Sequence, residues 1–179
     1  METRASRLSK QAENKNKLEG YAATFNNPTQ ITDARGRVFN EVIRPGAFSK
    51  AIDGGDVRAL VNHDTAKLLA RQKSGTLRLK EREQGLWFSL DLPETEAARE
   101  VKELVQRGDL DGMSFGWMEA TDKWSTQDKM PMRELINVSL QEVSVVTFPA
   151  YTQTSVEIRS DGLWLHKLKL LRATIDIIE

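Results

Sequence analysis

Short stretches that alternate between apolar and polar residues fill the middle of the chain and predict a mainly β protein. Residues 18–25 (LEGYAATF), 38–43 (VFNEVI) and 56–64 (DVRALVNHD) are typical of strands, and the last of these carries His63 near its end. Six further segments have the same character, namely 67–72, 75–81, 85–92, 113–124, 133–151 and 154–159. Two of them, 75–81 and 85–92, are close enough to form a hairpin, and 133–151 is long enough for one or two strands.

Helical spacing of apolar residues marks three other segments. Residues 94–108 (ETEAAREVKELVQRG) predict the clearest helix, because acidic residues cluster at its start and Gly108 suits its end. Residues 44–52 (RPGAFSKAI) predict a short helix that begins near Pro45. Residues 161–178 predict an amphipathic helix, which must bury one face against a partner or against its own domain.

Polar stretches rich in turn-forming residues set the boundaries between these elements. The first 17 residues are highly charged and predict a disordered tail, and 26–37 and 125–132 predict loops. The chain therefore divides into a tail over 1–17, one domain over 18–160 and a C-terminal amphipathic helix over 161–179. The domain is expected to be of the α+β class, mainly β, with short helices around a β core.

Composition narrows the function. The 179 residues contain 26 Lys+Arg and 26 Asp+Glu, so the net charge is zero and a nucleic-acid partner is not expected. Cysteine is absent, which excludes disulfides, a cysteine nucleophile and thiolate metal ligands. No apolar run is long enough to span a membrane and no secretory signal is apparent, so a soluble intracellular protein is expected.

The segment GMSFG at 112–116 fits the G-x-S-x-G pattern that often surrounds a nucleophilic serine, here Ser114. A serine between glycines is also an ordinary turn residue, and the pattern recurs by chance. The nucleophile elbow of α/β-hydrolases fits poorly, because the residues before Ser114 are polar and those after it are strand-like. That fold would also require His166 as the base, and His166 lies on the amphipathic helix, where a surface or interface role fits better.

His63 is then the candidate base, since the chain has two histidines. It stands where an apolar strand meets a polar loop, a place that suits either a catalytic group or a strand-capping residue. Glu142 interrupts a run rich in valine, so it either faces solvent or has a partner such as protonated His63. On strict alternation it would share its face with Leu140 and Ser144, a face that is not wholly polar.

Several blocks in one order resemble the prohead serine proteases of tailed bacteriophages, a family of capsid maturation proteases related to herpesvirus assemblin. The resemblance covers about residues 18–159. The blocks are GYAATFN, VIRPGAF, ALVNHD, SGTLRL, GLWFSLDLPET, RGDLDGMSFGW and LQEVSVVTFPAYTQTSV. It implies a closed or partly open β-barrel core surrounded by helices, as in assemblin.

The same resemblance implies the roles of individual residues. It implies a catalytic serine and histidine in the chain order histidine, serine, third member, which His63, Ser114 and Glu142 follow. The herpesvirus relatives have a second histidine as third member and arginines near the oxyanion loop, and this chain has neither at the matching positions. The oxyanion and substrate-binding groups are therefore assigned to the backbone near Ser114, at Phe115 and Gly116, and to Arg71. No cofactor or metal is expected.

The resemblance also implies the substrate and the setting. The expected substrate is the scaffolding segment of the major capsid protein, or a separate scaffold protein, cut within the procapsid in the host cytoplasm. Self-cleavage is expected too, and the helix over 161–178 could pack on its own domain, form a homodimer or dock on capsid protein.

Three other function classes stay open. The chain could be an inactive structural or scaffold-binding head protein with the same core, which a serine-directed phosphonate would reveal by failing to react. It could hydrolyse esters, although no lipid-binding helix is evident near Ser114. It could be a metal-dependent hydrolase, although two distant histidines give no cluster with metal-ligand spacing.

Overall fold

The structure, a computed structural model, describes residues 16–33 and 35–159. This part of the chain is mainly β, with ten strands and two short helices. The strands are β1 Lys17–Thr24, β2 Thr29–Thr32, β3 Val38–Ile43, β4 Arg58–Val61, β5 Asp64–Arg71, β6 Leu77–Arg82, β7 Gly85–Asp91, β8 Gly112–Gln127, β9 Met130–Val146 and β10 Ser155–Arg159; the helices are α1 Ser49–Gly54 and α2 Glu96–Arg107. The predicted mainly β character is therefore confirmed.

The strands form two sheets. The first has the order β10-β1-β7-β6, and the second is built around the long strand β9. β8 pairs antiparallel with β9 along its whole length, while β3 and β4 pair parallel with different ends of β9. Because a strand has only two edges, β3 and β4 share the edge that β8 leaves open. β2 and β5 then pair with β3 and β4 and complete the second sheet.

A closed barrel, which was one form of the predicted core, is not found among the described residues. The hydrogen-bonded ladders end at β10 and β6 in one sheet and at β2 and β5 in the other. The outer strands of one sheet do not pair with those of the other, so the two sheets stay open. The C-terminal helix expected over 161–179, and the tail expected over 1–17 except for its last two residues, lie outside the described part of the chain. Within that part, no helix has the length and apolar character needed to cross a membrane.

One hydrophobic core joins the two sheets. Leu18 and Phe88 from the first sheet and Phe115 and Val143 from the second belong to the same buried cluster, together with Phe48 just before α1. The Phe48 and Phe115 rings pack edge to face, with centroids 5.3 Å apart. The core therefore lies directly behind the segment of β8 that carries Ser114.

The longer helix confirms its sequence signals. Thr95 precedes α2, and its hydroxyl oxygen accepts a hydrogen bond from the Ala98 N–H at 3.3 Å. Gly108 follows α2 with a left-handed φ of 79°, a backbone conformation that glycine adopts without steric cost. The hairpin expected between 75–81 and 85–92 is also confirmed, as β6 and β7.

Other predicted boundaries are wrong. Residues 26–37 are not all loop, because Thr29–Thr32 pairs with β3. The loop predicted over 125–132 is mostly strand, because β8 and β9 run to a two-residue turn at Asp128 and Lys129, both with positive φ. This end of the hairpin is largely exposed, so it lacks the buried face that makes residues alternate.

The short helix also begins later than predicted. α1 starts at Ser49 rather than near Pro45, since the residues between them form turns. Those turns are held by Glu81, whose carboxylate accepts hydrogen bonds from the Gly46 and Phe48 N–H groups, each at 2.8 Å. A contact from a distant strand thus decides the local structure here.

A buried carboxylate fixes the segment that follows β9. Glu41 on β3 is 2% exposed. It accepts hydrogen bonds from the Tyr151 hydroxyl and, at 3.1 Å, from the Arg133 guanidinium. The Tyr151 ring also stacks on Phe115, with centroids 5.5 Å apart. Burial, reinforced by the Glu41 charge, raises the pKa of Tyr151 well above its usual value.

Removing the Tyr151 hydroxyl should therefore destabilise the fold. We expect Tyr151→Phe to lower the free energy of unfolding by about 1–3 kcal/mol, because Glu41 loses a buried hydrogen-bond donor. Urea unfolding followed by tryptophan fluorescence measures this change. Tyr21→Phe is the matched control, since no hydrogen bond of the Tyr21 hydroxyl is found among the described residues; it should change the value by less than about 0.5 kcal/mol. Equal effects of the two substitutions would contradict the role given to Tyr151.

Candidate active site

His63 lies in a tight turn rather than at the end of a strand. β4 ends at Val61 and β5 begins at Asp64, so Asn62 and His63 form a two-residue hairpin turn. Their φ values are 49° and 59°, the left-handed conformation of type I′ turns. The expectation of a strand over 56–64 with His63 near its end is therefore wrong, because β4 ends at Val61 and the chain reverses at Asn62 and His63.

The turn is held against the end of β9. The Asn62 N–H donates to the Val145 carbonyl oxygen at 2.9 Å, and the Asn62 side-chain oxygen accepts from the Thr147 N–H at 2.9 Å. Left-handed backbone is costly for a residue other than glycine and persists where its surroundings enforce it. The surroundings of the turn thus hold the His63 backbone in the conformation from which its side chain projects.

The His63 imidazole bonds to the predicted third member. Its Nδ1 lies 2.7 Å from Glu142 Oε1. An ionised carboxylate can only accept, so in neutral His63 the proton is on Nδ1 and Nε2 has a free lone pair. The histidine side chain is 48% exposed and the glutamate side chain 13% exposed. The pair can therefore take a proton at Nε2 while Glu142 stabilises the imidazolium that forms.

Ser114 lies on the adjacent strand, opposite a second serine. In the β8–β9 ladder Ser114 is paired with Ser144, and Gly116 is paired with Glu142. Directly opposed residues of an antiparallel pair have side chains on the same face, with Cβ atoms about 4.5–5.5 Å apart. The His63 N–H donates to Ser144 Oγ at 3.2 Å, which places the histidine turn over the same pair. The structure thus places Ser114 on the same face of the second sheet as the pair formed by His63 and Glu142.

A β-bulge turns Glu142 to this face. From Gly116 to Trp117 the partner on β9 moves from Glu142 to Leu140, so Gln141 is an extra residue. The bulge shifts the alternation by one position. Leu140 is consequently buried in the core, and Glu142 shares the face of Ser114 rather than that of Leu140. The sequence expectation that Leu140 and Glu142 share a face is wrong for this reason.

The two glycines of the GMSFG segment make room for neighbouring side chains. A Cβ atom on Gly116 would lie 2.4 Å from Glu142 Oε1, and one on Gly112 would lie 2.6 Å from Pro149 Cγ. Both distances are far below van der Waals contact. Ser114 itself stays within β8, which continues as a strand to Gln127, so the nucleophile elbow of α/β-hydrolases is absent here.

The other two predicted site residues, Phe115 and Arg71, have side chains that are engaged elsewhere. The Phe115 side chain is 4% exposed and packs in the core, so only its backbone can face a substrate. The Arg71 guanidinium forms a two-point ion pair with Asp56, with Nε 2.7 Å from Oδ1. Hydrogen bonds from Arg71 lower the pKa of Asp56 to about 2. The described structure thus engages Arg71 with a carboxylate rather than with Ser114.

The sequence analysis gave no role to Ser144. In the structure Ser144 forms hydrogen bonds with both Glu142 and His63. Ser144 is fully buried, and its hydroxyl donates to Glu142 Oε2 at 2.5 Å. The available signal was a serine two residues after Glu142 in a valine-rich strand, since a buried hydroxyl needs a hydrogen-bond partner. On strict alternation these two residues share a face, which the structure confirms.

The sheet and the serine, histidine and carboxylate on it have the composition of a serine hydrolase site. The chain belongs to the caudovirus prohead serine protease family, whose model matches residues 2–167. It is similar to a prohead protease of Enterobacteria phage HK97, with 34% identity over 142 residues. That match covers 78% of this chain and 58% of the HK97 protein, so the chain spans less than two thirds of its relative.

Proposed function

We propose that this chain is a serine endopeptidase that matures phage procapsids. The observation that supports this most directly is the hydrogen bond between His63 Nδ1 and Glu142 Oε1 on the face that carries Ser114. Membership of the prohead serine protease family supports the same reaction class. In this proposal Ser114 is the nucleophile, His63 the general base and Glu142 the residue that orients the imidazole.

The reaction follows from these roles. Ser114 Oγ attacks the carbonyl carbon of a peptide bond while His63 Nε2 takes the hydroxyl proton, a step worth about 10²–10⁴-fold in rate. Glu142 stabilises the imidazolium through Nδ1. His63 then gives the proton to the leaving amine, which breaks the C–N bond and leaves an acyl-enzyme on Ser114. Water, deprotonated by His63, hydrolyses the ester and restores the free serine.

Backbone N–H groups are the oxyanion donors in this proposal, with Phe115 as the first of them. The N–H and C=O of Met113 bond to the Thr154 hydroxyl, on the side of β8 away from β9. Backbone groups two residues apart in a strand point to the same edge, so the Phe115 N–H faces that edge too. An oxyanion donor of this kind is worth about 10²–10³-fold in rate. By the same rule the Gly116 N–H faces β9, so this proposal gives the donor role to Phe115, and Arg71 is kept in its pair with Asp56.

The proposed substrate is the scaffolding segment of the major capsid protein, or a separate scaffold protein, inside the procapsid in the host cytoplasm. Self-cleavage belongs to the same proposal. The test is to co-express the full chain with the major capsid protein of the same phage and to map new termini by mass spectrometry. New capsid-protein termini that require Ser114 would support the proposal. An intact capsid protein, in procapsids that contain the folded chain, would contradict it.

Glycine at position 116 should be required for this activity. We expect Gly116→Ala to lower the cleavage rate by about 10–10²-fold, because the added methyl group would displace the Glu142 carboxylate from His63. Gly54→Ala is the matched control, since a Cβ at Gly54 has no atom within 4 Å; it should cleave at the wild-type rate. The rate of capsid-protein cleavage, with circular dichroism to verify folding, measures both. Wild-type cleavage by a folded Gly116→Ala protein would contradict the placement of Glu142.

A further inference from the structure

Ser144 joins the two supporting residues of the site in one ring of hydrogen bonds. Its hydroxyl donates to Glu142 Oε2 at 2.5 Å and accepts from the His63 backbone N–H at 3.2 Å. Glu142 Oε1 in turn bonds to the His63 imidazole at 2.7 Å. The ring therefore runs from the imidazole through the carboxylate and the hydroxyl back to the histidine backbone. The ring includes both the imidazole and the backbone N–H of His63.

From this geometry we propose that Ser144 is a positioning residue of the reaction, an inference that rests on the proposed function. A glutamate side chain has several rotatable bonds, and one hydrogen bond to His63 leaves its carboxylate free to swing. The second bond, to Ser144, fixes both oxygens and so decides that Oε1 faces the imidazole. The bond from the His63 N–H holds the left-handed turn from which that imidazole projects.

The position of Ser144 suits this role and excludes a nucleophilic one. It is directly opposite Ser114 in the ladder, so the ring lies beside the reacting hydroxyl. Ser144 is 0% exposed, whereas a nucleophile must be reached by the substrate. Its single proton is donated to Glu142, which leaves its oxygen to accept from the histidine N–H. Ser144 thus acts through His63 and Glu142 and does not itself touch the substrate.

The experiment measures Ser144→Ala in the full chain by three readouts. The first is the rate at which a fluorophosphonate labels Ser114. The second is kcat and KM on a peptide that spans the mapped capsid-protein cleavage site. The third is the proton NMR signal of the His63 Nδ1–H. We expect kcat and the labelling rate to fall by about 10–10²-fold with KM within about twofold, because a small displacement of the catalytic groups slows chemistry rather than binding. The Nδ1–H signal should shift or disappear.

Ser89→Ala is the matched control. Ser89 is also buried, at 3% exposure, and its hydroxyl donates to a glutamate, Glu19 Oε1, at 3.1 Å. It lies on β7 in the other sheet, so the same type of bond is lost away from the site. Both substitutions should reduce stability, but only Ser144→Ala should reduce kcat. Ser144→Thr keeps the hydroxyl and should recover most of the lost kcat.

Several outcomes would overturn the proposal. A folded Ser144→Ala protein with wild-type kcat and labelling rate would do so, as would an equal loss of kcat in Ser89→Ala or a label on Ser144 itself. If the alanine variant fails to fold, Ser144→Cys, with its weaker donor, should show an intermediate kcat, and a wild-type kcat would count against the role. Failure of the proposed function looks different, because the wild-type protein would then carry no label on Ser114, or would carry it without cleaving the peptide.

Discussion

Ser114→Ala is expected to abolish cleavage of the capsid protein while the fold stays intact. The substitution removes the only atom that attacks the peptide carbonyl in the proposed mechanism, and such losses reach about 10⁴–10⁶-fold in kcat. Ser114 is 9% exposed and its neighbours on β8 are held by the core, so loss of the hydroxyl should not disturb the strand. Quantitative mass spectrometry of capsid-protein termini, from co-expressed wild-type and variant chains, measures the effect.

The matched control for this result is Ser125→Ala. Ser125 lies on the same strand and is exposed, far along the hairpin toward its turn. The control should cleave at the wild-type rate. Cleavage by Ser114→Ala at a comparable rate would show that another group is the nucleophile, and the assignment of the site would then be wrong.

Glu142→Gln should produce the second largest loss, about 10²–10⁴-fold in kcat. The amide keeps the shape of the side chain but no longer supplies a charge to stabilise the His63 imidazolium. Its NH₂ group can also donate to Nδ1, which would favour the tautomer with the proton on Nε2 and so block the general base. Steady-state kinetics on the mapped cleavage-site peptide measures kcat, and KM should change little.

Glu100→Gln makes the same change on the exposed side of α2 and serves as the control. Its kcat should equal that of the wild-type protein. If Glu142→Gln also kept the wild-type kcat, the carboxylate would have no catalytic role, and its bond to His63 would be structural.

Periodicity predicted the elements that have one buried face. β7 was found because Leu86, Phe88 and Leu90, at every second position, are all buried, and α2 was found because it has an apolar stripe, a cap and a terminal glycine. The exposed end of the β8–β9 hairpin was missed because neither of its faces is consistently buried. The pattern of apolar residues thus reports which residues are buried. It does not predict a strand where that strand extends beyond the core.

The residues of the candidate site could be proposed from the sequence, but their geometry could not. Chain order and family resemblance named His63, Ser114 and Glu142, but strict alternation wrongly placed Leu140 on the face of Glu142. The extra residue Gln141, which turns Glu142 toward Ser114, leaves no signal in a single sequence because any residue can occupy a bulge. The type I′ turn at Asn62 and His63 could not be predicted either, because neither residue is glycine.

The role of Gly116 shows a similar limit. The G-x-S-x-G pattern suggested a nucleophile through analogy with an elbow that this fold does not contain. The structure gives the glycine another reason, namely space for the Glu142 carboxylate across the ladder. A pattern can therefore point to a candidate serine for a physical reason that differs from the one in the fold where the pattern is best known.

The most direct test of the central claim, that His63 activates Ser114, is fluorophosphonate labelling mapped by mass spectrometry. The wild-type protein should carry one label, on Ser114, and His63→Ala should slow that labelling by about 10²–10⁴-fold. A folded wild-type protein that carries no label, or carries it on another residue, would contradict the claim, as would labelling of His63→Ala at the wild-type rate.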